Sequence, residues 1–167
     1  MKKVGIVMGS DSDLPVIKKC TAILKQLSIP YEVHIYSAHR TPEEAANFAK
    51  NAAGNGIGVI IAAAGMAAHL AGVMASYTLL PVIGIPCRGP VFDGMDALLA
   101  TVQMPSGIPV ATVAVNAGAN AAILAAQILA LGDAVLTERL AALRTEGTNN
   151  VLKKNQTIME RIEQEEN

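Results

Sequence analysis

Val59-Ile60-Ile61-Ala62-Ala63-Ala64 is apolar at every position, so a strand built from it has no face suited to water. Pro81–Pro86 repeats that pattern, Lys3–Met8 is apolar after its lysine, and Tyr31–Tyr36 and Ala111–Val115 also read as strands. Segments of helical spacing fall between them. Asp13–Leu27 sets Val16, Ile17, Cys20, Ile23, Leu24 and Leu27 on one stripe, with Asp13 as N-cap and Pro15 in the first turn. Pro42–Asn51, Ala67–Tyr77, Ala97–Val102 and Asn120–Leu131 are the further helices. Strands apolar on both faces, each followed by a helix, imply a parallel sheet covered on both sides. The expected fold class is therefore α/β, a three-layer α/β/α sandwich with a doubly wound parallel sheet.

The chain has 167 residues, enough for one domain with a real core. It is 51% hydrophobic but only 3% aromatic, so Ala, Val, Ile, Leu and Met must build that core. A net charge of −1 argues against nucleic acid or an anionic membrane as the main partner. Cys20 and Cys87 have no metal or redox spacing and read as small buried hydrophobes in a reducing compartment. The first apolar run is too short for a signal peptide, and Ser10-Asp11-Ser12-Asp13 stands where a cleavage region would be. A first strand is the better reading.

No Asp, Glu, Lys or Arg occurs from Asn51 to Cys87 or from Ala97 to Gly132. Pro81, Pro86, Pro105, Pro109 and many glycines cut both stretches into units too short to span a bilayer. Deep burial without a membrane is the expectation. The Asn120–Leu131 helix has no charged face and so reads as buried all round. In so small a domain that points to the centre of a homo-oligomer. After residues 1–132 comes a C-terminal helical extension, 133–167, expected to pack on the core or on a neighbouring subunit. Asp133–Leu143 reads as helix, Gly147-Thr148-Asn149-Asn150 as a break, and Val151, Leu152, Ile158, Met159 and Ile162 as one side of a last amphipathic helix.

Polar groups gather where strands end, which is where doubly wound sheets bind ligands. Ser37-Ala38-His39-Arg40-Thr41-Pro42 follows the second strand. It sets a side chain that titrates near neutrality beside one shaped to grip phosphate or carboxylate. Thr41, Pro42 and Glu44 spell a capping box. Gly9-Ser10-Asp11-Ser12-Asp13 lies between strand and helix, where free N–H groups and the helix dipole favour an anion. It is neither a dinucleotide fingerprint nor a P-loop. His69 sits among small apolar residues, Ala62 to Leu70, whose walls could hold a small uncharged molecule. Each stretch has a plainer reading as well: a basic turn, a polar cap, a core histidine. Gln103–Pro109 is a rigid loop, either a connector or a wall of the same pocket.

Taken together, Gly9–Asp13, Ser37–Pro42, Ala67-Ala68-His69-Leu70 and Val102-Gln103-Met104-Pro105 through Pro109–Ala114 resemble the N5-carboxyaminoimidazole ribonucleotide mutases of purine biosynthesis. The likeness runs in order along nearly the whole chain. It implies a flavodoxin-like fold, a cytoplasmic homo-octamer, and no metal or organic cofactor. It also implies a small-molecule imidazole ribonucleotide substrate, whose carboxylate moves from the exocyclic nitrogen to ring carbon 4. By position, Ser10, Asp13 and Arg40 match substrate-binding residues, with Ser12 at the phosphate. His39 matches the acid/base and His69 a second active-site histidine. Met66 and Ala71 depart from the Gly and Pro of many relatives. A related branch carboxylates aminoimidazole ribonucleotide directly. That branch typically carries Lys in place of Arg40 and lacks the Ala-Ala-His-Leu run. Rival readings are that carboxylase, a nucleotide- or flavin-binding module, and a structural oligomer.

Overall fold

A computed structural model describes residues 1–165. Five strands form one parallel sheet in the order β2-β1-β3-β4-β5: β1 Lys3–Met8, β2 Tyr31–Ile35, β3 Ile57–Gly65, β4 Val82–Cys87 and β5 Ala111–Thr112. β3 and β4 are buried almost throughout, as strands without a polar face must be. The helices are α1 Leu14–Gln26, α2 Pro42–Asn51, α3 Leu70–Tyr77, α4 Met95–Val102, α5 Gly118–Ala130 and α6 Ala134–Glu165.

One core lies between the sheet and α1, α5 and the start of α6, around Ile6, Leu24, Ile61 and Leu136. The other lies under α2 and α3, around Val7, Ile60, Leu70 and Met74. The doubly wound three-layer sandwich is thus present, and chain order reverses between β1 and β3. At Gly118 an added Cβ would sit 2.2 Å from Val16 O, so α5 rests backbone to backbone on α1. β2 forms one edge, where Lys3 pairs with Glu32 and Glu32 reaches His34 at 3.4 Å. Charged groups of this kind discourage pairing with another strand.

Several local expectations are corrected. α6 runs unbroken for 32 residues through Gly147-Thr148-Asn149-Asn150, so there is one C-terminal helix and not two. A glycine inside a helix costs only about 1 kcal/mol. Thr145 and Thr148 close onto Ala141 O and Arg144 O, within the helix. α3 begins at Leu70, because Met66 adopts φ 56° and the chain turns through Ala67 to His69. β5 is only two residues long. In the single chain α5 buries its alanine face (Ala121, Ala122, Ala125, Ala126), while Asn120 and Gln127 are exposed.

Candidate active site

Parallel register brings the carboxyl ends of the strands level. Met8 pairs with Ile35 on one side and Ala63 on the other, and Gly65 pairs with Cys87. Four loops leave those ends and surround a cavity of about 610 Å³.

The first loop, Gly9–Asp13, closes into a single 3-10 turn. Ser10 Oγ accepts from the Ser12 N–H at 3.3 Å, and Asp13 Oδ2 accepts from the Ser10 N–H at 3.2 Å. This reciprocal box turns the Asp13 carboxylate away from α1, so it does not cap that helix as its position suggested. Asp13 instead lines the cavity at 8% exposure. Burial raises its pKa, and the nearby Cys87 thiol and the Ser10 and Gly9 N–H groups partly offset that rise. Burial, together with the Asp13 charge, pushes the Cys87 thiol up to about 12. A thiol that stays protonated is no nucleophile.

The second loop is knotted around Ser37. Its Oγ accepts from the N–H groups of His39 (3.4 Å) and Arg40 (3.2 Å). Thr41 sits at the N-cap position of α2, but its hydroxyl turns back to take the Ser37 N–H at 2.8 Å. The expected capping box with Glu44 is therefore not made. The knot fixes His39 and Arg40 side by side, and Arg40 Nη2 donates to Gly9 O at 3.1 Å. That bond ties the second loop to the first.

The third loop presents Ala64, Gly65, Met66 and Ala67 to the cavity as a wall of small and apolar side chains. His69 follows, and its Nδ1 lies 3.4 Å from His39 Nε2, with the rings edge to face at 88°. One nitrogen of the pair must present N–H and the other its lone pair. His69 also borders a second hollow of about 370 Å³ with Leu99, Gln103 and Met104. Gln103 and Met104 therefore wall that neighbouring hollow, and no residue of the 103–109 loop lines the main cavity.

The fourth loop, Arg88-Gly89-Pro90, was not foreseen. Arg88 is the first charged residue after the uncharged stretch ending at Cys87, directly at the end of a buried strand. That was the available signal.

So the structure brings Ser10, Ser12, Asp13, His39 and Arg40 to one cavity and puts His69 at its rim, against His39. Among the described residues no Phe, Tyr or Trp lines the cavity, leaving nothing to stack a flavin ring. Nor do three or more His, Cys, Asp or Glu come together there in a way that could hold a metal ion. Among the described residues no helix is long and apolar enough to cross a membrane. The arrangement can bind an anion, move a proton and shelter a small apolar molecule.

Known proteins share this frame. The AIR carboxylase family model matches residues 3–150. The N5-carboxyaminoimidazole ribonucleotide mutase of Pyrococcus horikoshii is 57% identical over 137 residues, 82% of this chain and 77% of that protein. The phosphoribosylaminoimidazole carboxylase of Saccharomyces cerevisiae is 49% identical over 155 residues, 93% of this chain but 27% of that one. Crystallographic Treponema denticola PurE superposes with a TM-score of 0.82 at 29% identity, covering 92% of this chain and 96% of its own. A match over residues 3–150, joined to this identity and to a shared fold, shows that the chain belongs to the AIR carboxylase family.

Proposed function

We propose that this chain is an isomerase of purine biosynthesis that converts N5-carboxyaminoimidazole ribonucleotide into 4-carboxy-5-aminoimidazole ribonucleotide. The observation carrying this reading is the His39–His69 contact, 3.4 Å, at the rim of a cavity that also holds Arg40 and the Ser10–Asp13 turn. Ser10, Ser12 and Arg40 hold the phosphate end of the nucleotide, and Asp13 accepts from ribose hydroxyls.

His39 gives a proton to the carbamate nitrogen. The N–C bond breaks, its electron pair stays on nitrogen, and carbon dioxide is released. The wall from Ala64 to Ala67 keeps it in place and keeps water out. Ring carbon 4 then bonds to the trapped carbon dioxide using the electrons of the electron-rich amino-imidazole. His39 removes the displaced hydrogen as a proton and so returns to its starting state. One proton is given and one taken, and each positioned transfer is worth roughly 10²–10⁴-fold. His69 holds the His39 ring and passes the proton.

Direct carboxylation of aminoimidazole ribonucleotide is the second reading, since the yeast relative is named a carboxylase. This chain spans about a quarter of that protein, whereas it spans 77% of the Pyrococcus mutase at higher identity. Assaying the carbamate and aminoimidazole ribonucleotide separately, with and without bicarbonate, separates the two. Turnover of the carbamate without bicarbonate supports the mutase; turnover only of the amine with bicarbonate overturns it.

The same reading includes a homo-octamer in the cytoplasm. Met95, Leu99 and Val102 form an exposed apolar stripe at helical spacing on α4, and Phe92 is exposed in the turn before it, which suits a subunit contact. Cys20 and Cys87 are free and buried, which suits a reducing compartment.

A further inference from the structure

The proposed substrate carries two anionic groups, a phosphate and a carboxylate, yet Arg40 with the Ser10–Ser12 turn accounts for only one. We infer that Arg88 is the residue that grips the migrating carboxylate when it is attached to the nucleotide, and that Asp93 aims it. This rests on the mutase reading and adds a specificity-determining residue to that site.

The position comes first. Arg88 follows β4, next to β3, whereas Arg40 follows β2 at the edge of the sheet. The two guanidinium residues thus enter the cavity from loops separated by the ends of β1 and β3. A Cβ added at the adjacent Gly89 would lie 3.6 Å from Met66 Cγ. The loop that carries Arg88 therefore touches the small apolar wall that shelters carbon dioxide.

Its aim comes next. The Arg88 N–H donates to Asn116 Oδ1 at 2.9 Å, which pins the loop base to the segment after β5. The side chain meets Asp93 on one edge only, Nε to Oδ1 at 2.7 Å and Nη2 to Oδ2 at 3.0 Å. A guanidinium has five N–H donors. Two go to Asp93; of the three that remain, one on Nη1 and one on Nη2 form the end-on edge, the geometry that receives a second carboxylate. Asp93 holds φ 54°, a backbone state Asp tolerates better than most residues. The pair is well exposed, with side chains at 63% and 72%, so a ligand reaches it directly.

Once carbon dioxide has detached it is neutral and has no claim on a cation. Arg88 then binds the carboxylated reactant and product, but not the amine between them.

The test is titration calorimetry of wild type and Arg88→Gln with two probes, the 4-carboxylated nucleotide and decarboxylated aminoimidazole ribonucleotide. Loss of charge-assisted hydrogen bonds at Arg88 weakens the carboxylated probe about tenfold to a hundredfold. Affinity for the decarboxylated probe stays within about twofold, which also shows that the variant is folded. Arg88→Lys recovers part of the loss, because the charge returns without the fork. An equal loss for both probes, or no loss for either, overturns the inference. Failure of the mutase reading shows separately, as wild-type protein that binds both probes but does not interconvert the two carboxylates.

Discussion

His39 and His69 belong to different loops, after β2 and after β3, and their rings meet edge to face with centroids 5.5 Å apart. Neither loop can form the pair alone. Ser37 and Thr41 set the first, the left-handed residue Met66 sets the second, and strand register brings both to the same height.

His39→Asn keeps a planar polar group but cannot relay a proton across the pair. Turnover should drop by about 10²–10⁴-fold for each transfer lost, while nucleotide binding remains measurable. Steady-state rates and calorimetry check this together. Activity near that of wild type would remove His39 from its role.

Arg40→Ala should act on binding. Losing a charge-assisted bond to phosphate costs about 1.5–3 kcal/mol, a tenfold to hundredfold rise in KM with kcat much less affected. A fall confined to kcat would instead tie Arg40 to the proton transfers.

Asp13 gives a pH prediction. Its folded pKa lies above the ordinary aspartate value of 3.8, so the folded state holds the proton more tightly than the unfolded chain. That contribution is present at low pH and is lost as pH rises from about 3.8 through the raised folded value. Asp13→Asn cannot titrate. Its melting temperature relative to wild type should therefore improve between pH 4 and pH 7, while nucleotide affinity falls. A constant difference across that range would contradict the burial effect.

Gly118→Ala tests the α1–α5 contact by its sign. Helix propensity alone favours alanine by about 1 kcal/mol. The added Cβ, 2.2 Å from Val16 O, forces the helices apart and should destabilise by about 1–3 kcal/mol. A raised melting temperature would show that α5 can shift freely.

Leu99 is 51% exposed on the α4 stripe. Leu99→Asp should leave the fold intact by circular dichroism but yield a smaller species in sedimentation. Wild type sedimenting as a monomer would refute the oligomer outright.

The sheet and most helices were legible because burial on both faces leaves its mark on every residue of β3 and β4. The loops were legible only in part. Asp13, Ser10 and Thr41 are all small polar residues beside a helix start, and a capping motif does not say which backbone N–H each will choose. Asp13 and Thr41 chose partners before the helix. Arg88 went unnoticed because a lone cation after a strand looks like any surface charge until neighbouring strand ends bring the cavity to it. The Gly147–Asn150 break failed because breakers weigh little against a long run of good helix formers when no packing opposes the helix. An added Cβ at Gly147 would meet nothing within 4 Å.

At 1.5 Å per residue, the 32 residues of α6 reach about 48 Å, against a radius of gyration near 15 Å for a compact body of this size. Every residue from Arg144 to Met159 is exposed in the lone chain. Amides in those turns should trade hydrogen for deuterium quickly in a separated subunit and slowly wherever a second copy shields them. One rod of backbone thereby becomes a built-in gauge of assembly, readable peptide by peptide.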